Sequence, residues 1–238
     1  ESAADEIRLI PFVLQFGQFL LGTNIGEILA IFISSVLGFE TPLAAIHLLW
    51  VNLVTDSLPA MALGTEKPEA GIMLRRPLPQ DKGFFADGLW LDISLEGILI
   101  GALTLISFGI GRFMLPCADP LTLGRTMAFC TLSFCEITHS VNMRSSLPLY
   151  KIGFFSNRMM NIAFPVCVAA QAAVVVIPTL ARLFDVVPLS SFQWLIVAAV
   201  SLVPLAVGEL GKLLTHLHRK KEKTEAVLSG FGTKKRGC

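Results

Sequence analysis

Six runs of apolar residues, at about 12–37, 43–64, 88–111, 122–141, 159–180 and 191–214, occupy most of this 238-residue chain. Each is long enough to cross roughly 30 Å of hydrocarbon as an α-helix. Only 16% of the residues are charged against 53% hydrophobic, whereas a soluble domain carries roughly a quarter charged side chains. The fold class that follows is all-α, a polytopic membrane bundle of six transmembrane helices, and the same composition excludes intrinsic disorder. With a net charge of only +1 there is no bulk electrostatic case for a nucleic-acid partner. The lipid bilayer is the expected partner.

The lysines and arginines set the expected orientation, because the basic side of a multi-pass protein faces the cytoplasm. Sixteen of the nineteen, among them Arg8, Arg75, Arg76, Arg144, Lys212 and the run Arg219, Lys220 and Lys221, fall on the side that holds both termini. Only Arg112, Arg125 and Arg182 fall on the other. Three parts are expected: a cytoplasmic segment 1–11, a six-helix transport region 12–214 and a basic cytoplasmic tail 215–238. In a bacterium the membrane would be the plasma membrane. Glu1 to Glu6 lack the basic start of a signal peptide, so the first span is expected to be retained. The connection 65–87, with Pro68, Glu69, Arg75, Arg76, Pro77, Pro79 and Asp81, reads as a structured linker at most. Cys117, Cys130, Cys135, Cys167 and Cys238 suggest neither a disulfide framework nor a tetrahedral metal set.

Chemistry enters through polar residues placed where lipid-facing helices cannot carry them. Thr23, Asn24 and Glu27 lie midway along the first span, with Asn24 and Glu27 on one helical face. Asn52, Thr55 and Asp56 repeat the pattern in the second span. An ionised carboxylate is costly in hydrocarbon and a protonated one still needs a hydrogen-bond partner, so the two acids are expected to face each other. Converging carboxylate, amide and hydroxyl oxygens suit a hard cation such as calcium at about 2.3–2.6 Å. Without the cation Glu27 and Asp56 repel, so proton uptake is expected when it leaves. The bland alternative is that these groups only glue helices together. Pro59, one turn after Asp56, removes a backbone donor and is expected either to open a carbonyl near Thr55 or Asp56 or simply to kink the helix.

The fourth span adds Ser133 and Glu136, followed by His139 and Ser140. Glu136 either completes a cation site with Ser133 as a further accessory candidate, or pairs locally with His139; spacing alone favours the local role. Asp92 and Glu96, on one face near the start of the third span, are expected to meet headgroups or the 65–87 linker. Gly22 and Gly26 in the first span, and Gly97 and Gly101 in the third, form two G-x-x-x-G faces suited to close helix packing. Glu209 stands three residues before Lys212, a spacing for a terminal ion pair.

The segments "GTNIGEIL" (22–29) and "LLWVNLVTDSLPAMALG" (48–64) resemble the fifth and sixth transmembrane helices of calcium-transporting P-type ATPases of the sarcoplasmic/endoplasmic reticulum class and their bacterial relatives. "EKPEAGIMLRRP" (66–77) resembles the link after the sixth helix, and "VGELGKLL" (207–214) the end of the tenth. The resemblance implies that 12–214 supplies the last six helices of such a pump. It also implies that the metal-ligand positions fall on Asn24, Glu27, Asn52, Thr55 and Asp56. "CEITHSVN" (135–142) puts Glu136 at what looks like the acid of the eighth helix, although His139 stands where an amide is typical. Sodium/potassium pumps of the superfamily typically have Pro at the position of Gly26 and Asp at that of Asn52, which places the likeness on the calcium branch.

The family's D-K-T-G-T, T-G-D and G-D-G-x-N-D segments and its P-E-G-L stretch do not occur in this sequence. The resemblance therefore implies Ca2+ as the transported ion, with Mg2+ and ATP acting only through domains outside this chain. The expected partners are the upstream transmembrane helices and the cytoplasmic ATPase domains. The 238 residues alone are expected to be inactive. The other expectations kept open are an independent cation channel or secondary transporter, and a non-transporting structural membrane protein.

Overall fold

The computed structural model describes residues 2–66, 89–145 and 147–234, with side chains for 15–66, 89–145 and 147–218. The linker residues Pro68, Glu69, Arg75, Arg76, Pro77, Pro79 and Asp81, the side chains of Arg8 and of the basic run from Arg219, and Cys238 lie outside the described residues. Among the described residues all regular structure is helical. In chain order the helices are α1 (Ser2–Val36), α2 (Ala45–Leu63), α3 (Leu89–Met114), α4 (Pro120–Asn142), α5 (Leu149–Ile152), α6 (Arg158–Val176), α7 (Pro178–Leu183), α8 (Ser191–Ser201) and α9 (Val203–Lys234). Helix α1 runs unbroken across the expected boundary at residue 12, and α9 likewise runs across that at residue 215.

Prolines break two of the expected spans. Ile177, ahead of Pro178, takes an extended backbone (φ −82°, ψ 116°) and ends α6, as expected for the residue preceding a proline. Pro204 has no N–H to offer the helical ladder, and α8 and α9 meet at Leu202 just before it.

Five spans are long and apolar enough to cross a membrane: 15–36 within α1, α2, α3, α6, and the α8–α9 stretch from Ser191 to His218. Helix α4, at 23 residues, has the length for a sixth but is too polar to count on composition. Its polarity is sheltered, because nearly every residue from Leu123 to Asn142 is buried among the other helices. The Thr131 hydroxyl donates to Ser107 Oγ at 2.7 Å, and Thr138 donates to the Ser201 carbonyl at 2.7 Å. Hydroxyls in a membrane interior need such partners, and here they join α4 to α3 and α8. Asp119 caps the N-terminus of α4, with Pro120 in the first turn. Hydrogen bonds from the Thr122 hydroxyl and N–H hold the Asp119 carboxyl below the usual carboxylate range.

The two ends of the bundle are tied separately. At one end Arg112 pairs with Glu40 at 3.0 Å, and Arg125 Nε donates to the Thr41 carbonyl at 3.0 Å. At the other, Arg144 grips Glu66 at 2.8 Å and the Phe154 carbonyl at 2.7 Å, while Lys212 donates to the Asn142 carbonyl at 2.7 Å. The Glu209–Lys212 pair forms at 3.0 Å, and Glu209 also accepts from the Leu149 N–H at 2.8 Å.

Helices α1 and α3 meet through their glycines. A methyl group added at Gly101 would stand 2.9 Å from the Gly26 carbonyl oxygen, and one at Gly97 would stand 2.5 Å from the Ile25 side chain. Backbone therefore lies against backbone. Gly101→Ala in the whole protein is expected to cost about 1–3 kcal/mol of stability through overpacking. Gly109→Ala, where an added methyl meets nothing within 4 Å, is expected to cost nothing. Thermal unfolding of the two variants in the same detergent checks the contrast.

Candidate cation site

The α2 backbone widens into a π-helical segment from Val51 to Asp56, which carries Asn52, Thr55 and Asp56. Pro59 lies just beyond it. Within the widened turn the Asn52 carbonyl accepts from the Ser57 hydroxyl at 3.0 Å, and the Val54 carbonyl accepts from the Cys167 thiol at 3.7 Å. Interruptions of this kind re-aim side chains and are frequent at functional sites. Here the expected irregularity is a wider turn in which side chains take up the loosened carbonyls.

Helices α1 and α2 are bonded reciprocally across the hairpin. Asn52 Nδ2 on α2 donates to both carboxylate oxygens of Glu27 on α1, each at 3.0 Å. One turn away, Thr23 Oγ1 on α1 donates to Asp56 Oδ2 on α2 at 3.1 Å. Four residues back on α1 match four residues forward on α2, as an antiparallel pair requires. Glu27 and Asp56 are 6% and 1% exposed, so each acid is held by a polar group of the opposite helix away from water.

A third carboxyl arrives from α4. Thr55 Oγ1 donates to Glu136 Oε2 at 3.3 Å. Glu136 thus joins the α2 residues rather than His139, the partner that spacing alone favoured. The Asp56 Oδ1, Glu136 Oε1 and Ser133 Oγ atoms are buried with no hydrogen-bond partner. Asn24 lies one turn from Glu27, and its amide donates to the Leu20 carbonyl at 2.6 Å.

Three acids gathered without a Lys or Arg bonded to any of them among the described residues make a site that a divalent cation or protons must neutralise. The oxygens are hard donors, of the kind that suit calcium rather than soft metals. Among the described residues, no three His, Cys, Asp or Glu side chains are spaced to grip an ion as they stand. The Asn52 amide covers Glu27, so ion binding at these oxygens requires that amide to turn.

Two expectations change. Glu96, expected at headgroups or the 65–87 linker, most of which lies outside the described residues, bonds within the bundle: its Oε1 accepts from Gln18 Nε2 at 2.8 Å and its Oε2 lies 3.5 Å from His139 Nε2. Gly22 packs beside it: a methyl there would stand 3.4 Å from Glu96 Oε2, an ordinary contact. The second is Thr23, which sequence reading left out of the ligand set although it holds Asp56. The signal was present: Thr23 and Glu27 are four apart on α1, as are Asn52 and Asp56 on α2.

The model of the family described as "Cation transporting ATPase, C-terminus" matches residues 40–214. The chain belongs to this family. Over 209 residues this ATPase C-terminal region is 37% identical to calcium-transporting ATPase 1 of Bacillus cereus, covering 82% of the chain and 23% of the relative. It is 35% identical over 222 residues to the calcium-transporting ATPase of Bacillus subtilis, covering 93% of the chain and 24% of that protein. An endoplasmic reticulum calcium ATPase of Aspergillus fumigatus is 29% identical over 227 residues, with 83% of the chain and 23% of that protein covered. The chain therefore spans about a quarter of the length of these relatives. Its apolar helices and its family together make it a multi-pass membrane protein.

Proposed function

We propose that this region is the cation-binding and translocating membrane part of an ATP-driven calcium pump. The observation that carries the reading is the convergence of Glu27, Asp56 and Glu136 from three helices on one buried cluster, cross-braced by Asn52, Thr23 and Thr55. The names of the relatives support calcium as the cargo. In this reading Glu27 and Asp56 supply the charge that holds the ion, and Asn24, Asn52 and Thr55 supply neutral oxygens. Glu136 and Ser133 complete the shell from α4. When calcium departs, the like charges left behind take up protons. ATP and Mg2+ act through domains outside this chain, and both termini face the cytoplasm, at the plasma membrane if the source is bacterial.

The test is calcium uptake into everted vesicles from cells that express the whole polypeptide carrying this region. Saturable uptake that requires ATP is expected. Uptake that persists without ATP would replace the pump by a channel or an ion-gradient-driven transporter, and no uptake under any condition would leave a structural role.

A further inference from the structure

Helix α6 contributes none of the oxygens proposed for the cation, yet two of its side chains bond the stretch of α2 that carries three of them. The Cys167 thiol donates to the Val54 carbonyl at 3.7 Å, and Gln171 Oε1 accepts from Trp50 Nε1 at 2.9 Å. Cys167 and Gln171 are four residues apart on α6, as Val54 and Trp50 are on α2, so the two contacts match as an antiparallel pair of helices requires. Both α6 side chains are fully buried. Gln171 Nε2 in turn donates to Cys130 Sγ of α4 at 3.8 Å, which ties the contact back to a third helix.

The Val54 contact has a chemical reason. In π winding a carbonyl takes its bond from the N–H five residues on, and five residues beyond Val54 stands Pro59, which has no N–H. The π pattern of Val51–Asp56 therefore offers the Val54 carbonyl no backbone donor, and the thiol reaches it from α6. The next two residues are Thr55 and Asp56, so a turn of the backbone at Val54 re-aims both side chains. One contact alone would leave the segment free to rotate about it. The second, at Trp50 immediately before the widened segment, restricts that rotation.

We propose that Cys167 and Gln171 are positioning residues for the cation site: by fixing the widened turn against α6 they hold Asn52, Thr55 and Asp56 in the arrangement that binds calcium tightly. This role rests on the pump reading given above and extends it to a helix that touches no ion.

Calcium uptake into everted vesicles that carry the whole polypeptide tests the role, with half-saturating calcium and maximal rate read separately. Serine and alanine are alike in size, so Cys167→Ser and Cys167→Ala lose the same packing and differ in the donor. Cys167→Ala is expected to raise half-saturating calcium roughly 10-fold, the lower end of what loss of a partner behind a metal ligand costs, with maximal rate and half-saturating ATP unchanged. Cys167→Ser is expected to stay close to the parent, because its hydroxyl donates to the same carbonyl. Gln171→Leu, which releases Trp50, is expected to raise half-saturating calcium as Cys167→Ala does.

A role in packing alone would impair the two Cys167 variants alike. Equal impairment of Cys167→Ser and Cys167→Ala, unchanged half-saturating calcium in Cys167→Ala or in Gln171→Leu, or a loss confined to the maximal rate would overturn the proposal. Absence of ATP-driven calcium uptake in the parent would overturn the pump reading itself, and is told apart because it shows without any substitution. Where Cys167→Ala does not accumulate, the infrared S–H band that Cys167→Ser removes from the parent decides. A band lowered in frequency, as a donating thiol gives, is expected, and a band at the free-thiol position would overturn the proposal.

Discussion

Asp56→Asn in the whole polypeptide is expected to abolish calcium-activated phosphorylation from ATP at micromolar calcium while leaving expression and membrane insertion largely intact. Asp56 is 1% exposed, accepts from the Thr23 hydroxyl of α1 and follows Thr55, whose hydroxyl donates to Glu136 of α4, so it stands where the three helices meet. The amide keeps the shape and can still accept the Thr23 hydrogen bond, which isolates the loss of charge from a loss of packing. Removal of a partner outside the coordination shell commonly costs 10–100-fold in metal affinity, so loss of a direct anionic ligand should exceed about 100-fold. Phosphorylation from inorganic phosphate, which requires no bound calcium in this reading, should survive in the variant. Ordinary calcium activation of Asp56→Asn would remove Asp56 from the ligand set, and with it the central member of the proposed site.

The largest expected effect on stability lies at the opposite extreme of α2. Arg144 has a side chain only 1% exposed and donates to both Glu66 carboxylate oxygens, at 2.8 and 3.2 Å. It also reaches the Phe154 carbonyl at 2.7 Å and Ser156 at 2.6 Å, while Asn157 donates to the same glutamate at 2.8 Å. One guanidinium thus ties the end of α2 to the connection between α4 and α6. Arg144→Met would leave Glu66, among the described residues, with the Asn157 amide in a largely buried setting, and breaking a buried pair from one side typically costs about 3–5 kcal/mol. The double variant Arg144→Met, Glu66→Met removes both charges and is expected to recover much of that loss. Unfolding of the three proteins in one detergent checks the order; a single variant as stable as the parent would show that the clamp does not hold the bundle.

The cluster of buried acids was legible in the sequence because charge in hydrocarbon demands an explanation wherever it occurs. Glu27 and Asp56 announced themselves by being acids in apolar runs, and the structure places them on facing helices. The partners were harder to read. Thr23 looks like any membrane threonine until α2 is placed antiparallel to α1 and Asp56 comes opposite it. Glu136 and His139 are three residues apart on one helix, which suggested a local pair, but a helix buried on all sides distributes its residues to different neighbours. Glu136 goes to α2, whereas His139 goes to Glu96 on α3 and stacks on Phe19 of α1 at 6.1 Å. The run 122–141 reads as a sixth span, whereas α4 falls short of the five apolar enough to cross a membrane and is instead buried among the other helices. The breaks at Ile177 and Leu202 follow from Pro178 and Pro204, and only the uninterrupted apolar runs obscured them.

The widened turn of α2 has a consequence for residues at the start of that helix. A regular α-helix advances about 100° per residue, and the segment from Val51 to Asp56 departs from that rhythm. The azimuth of the helix start is therefore set independently of its finish. At the start, His47 Nε2 lies 2.7 Å from the Phe184 carbonyl and Trp50 Nε1 donates to Gln171 at 2.9 Å. Trimming one residue from the segment to restore ordinary winding would swing both rings off these anchors, although neither had been altered. The irregular stretch works as a phase adjuster, letting a single rod satisfy two sets of neighbours that no uniform screw could reach together.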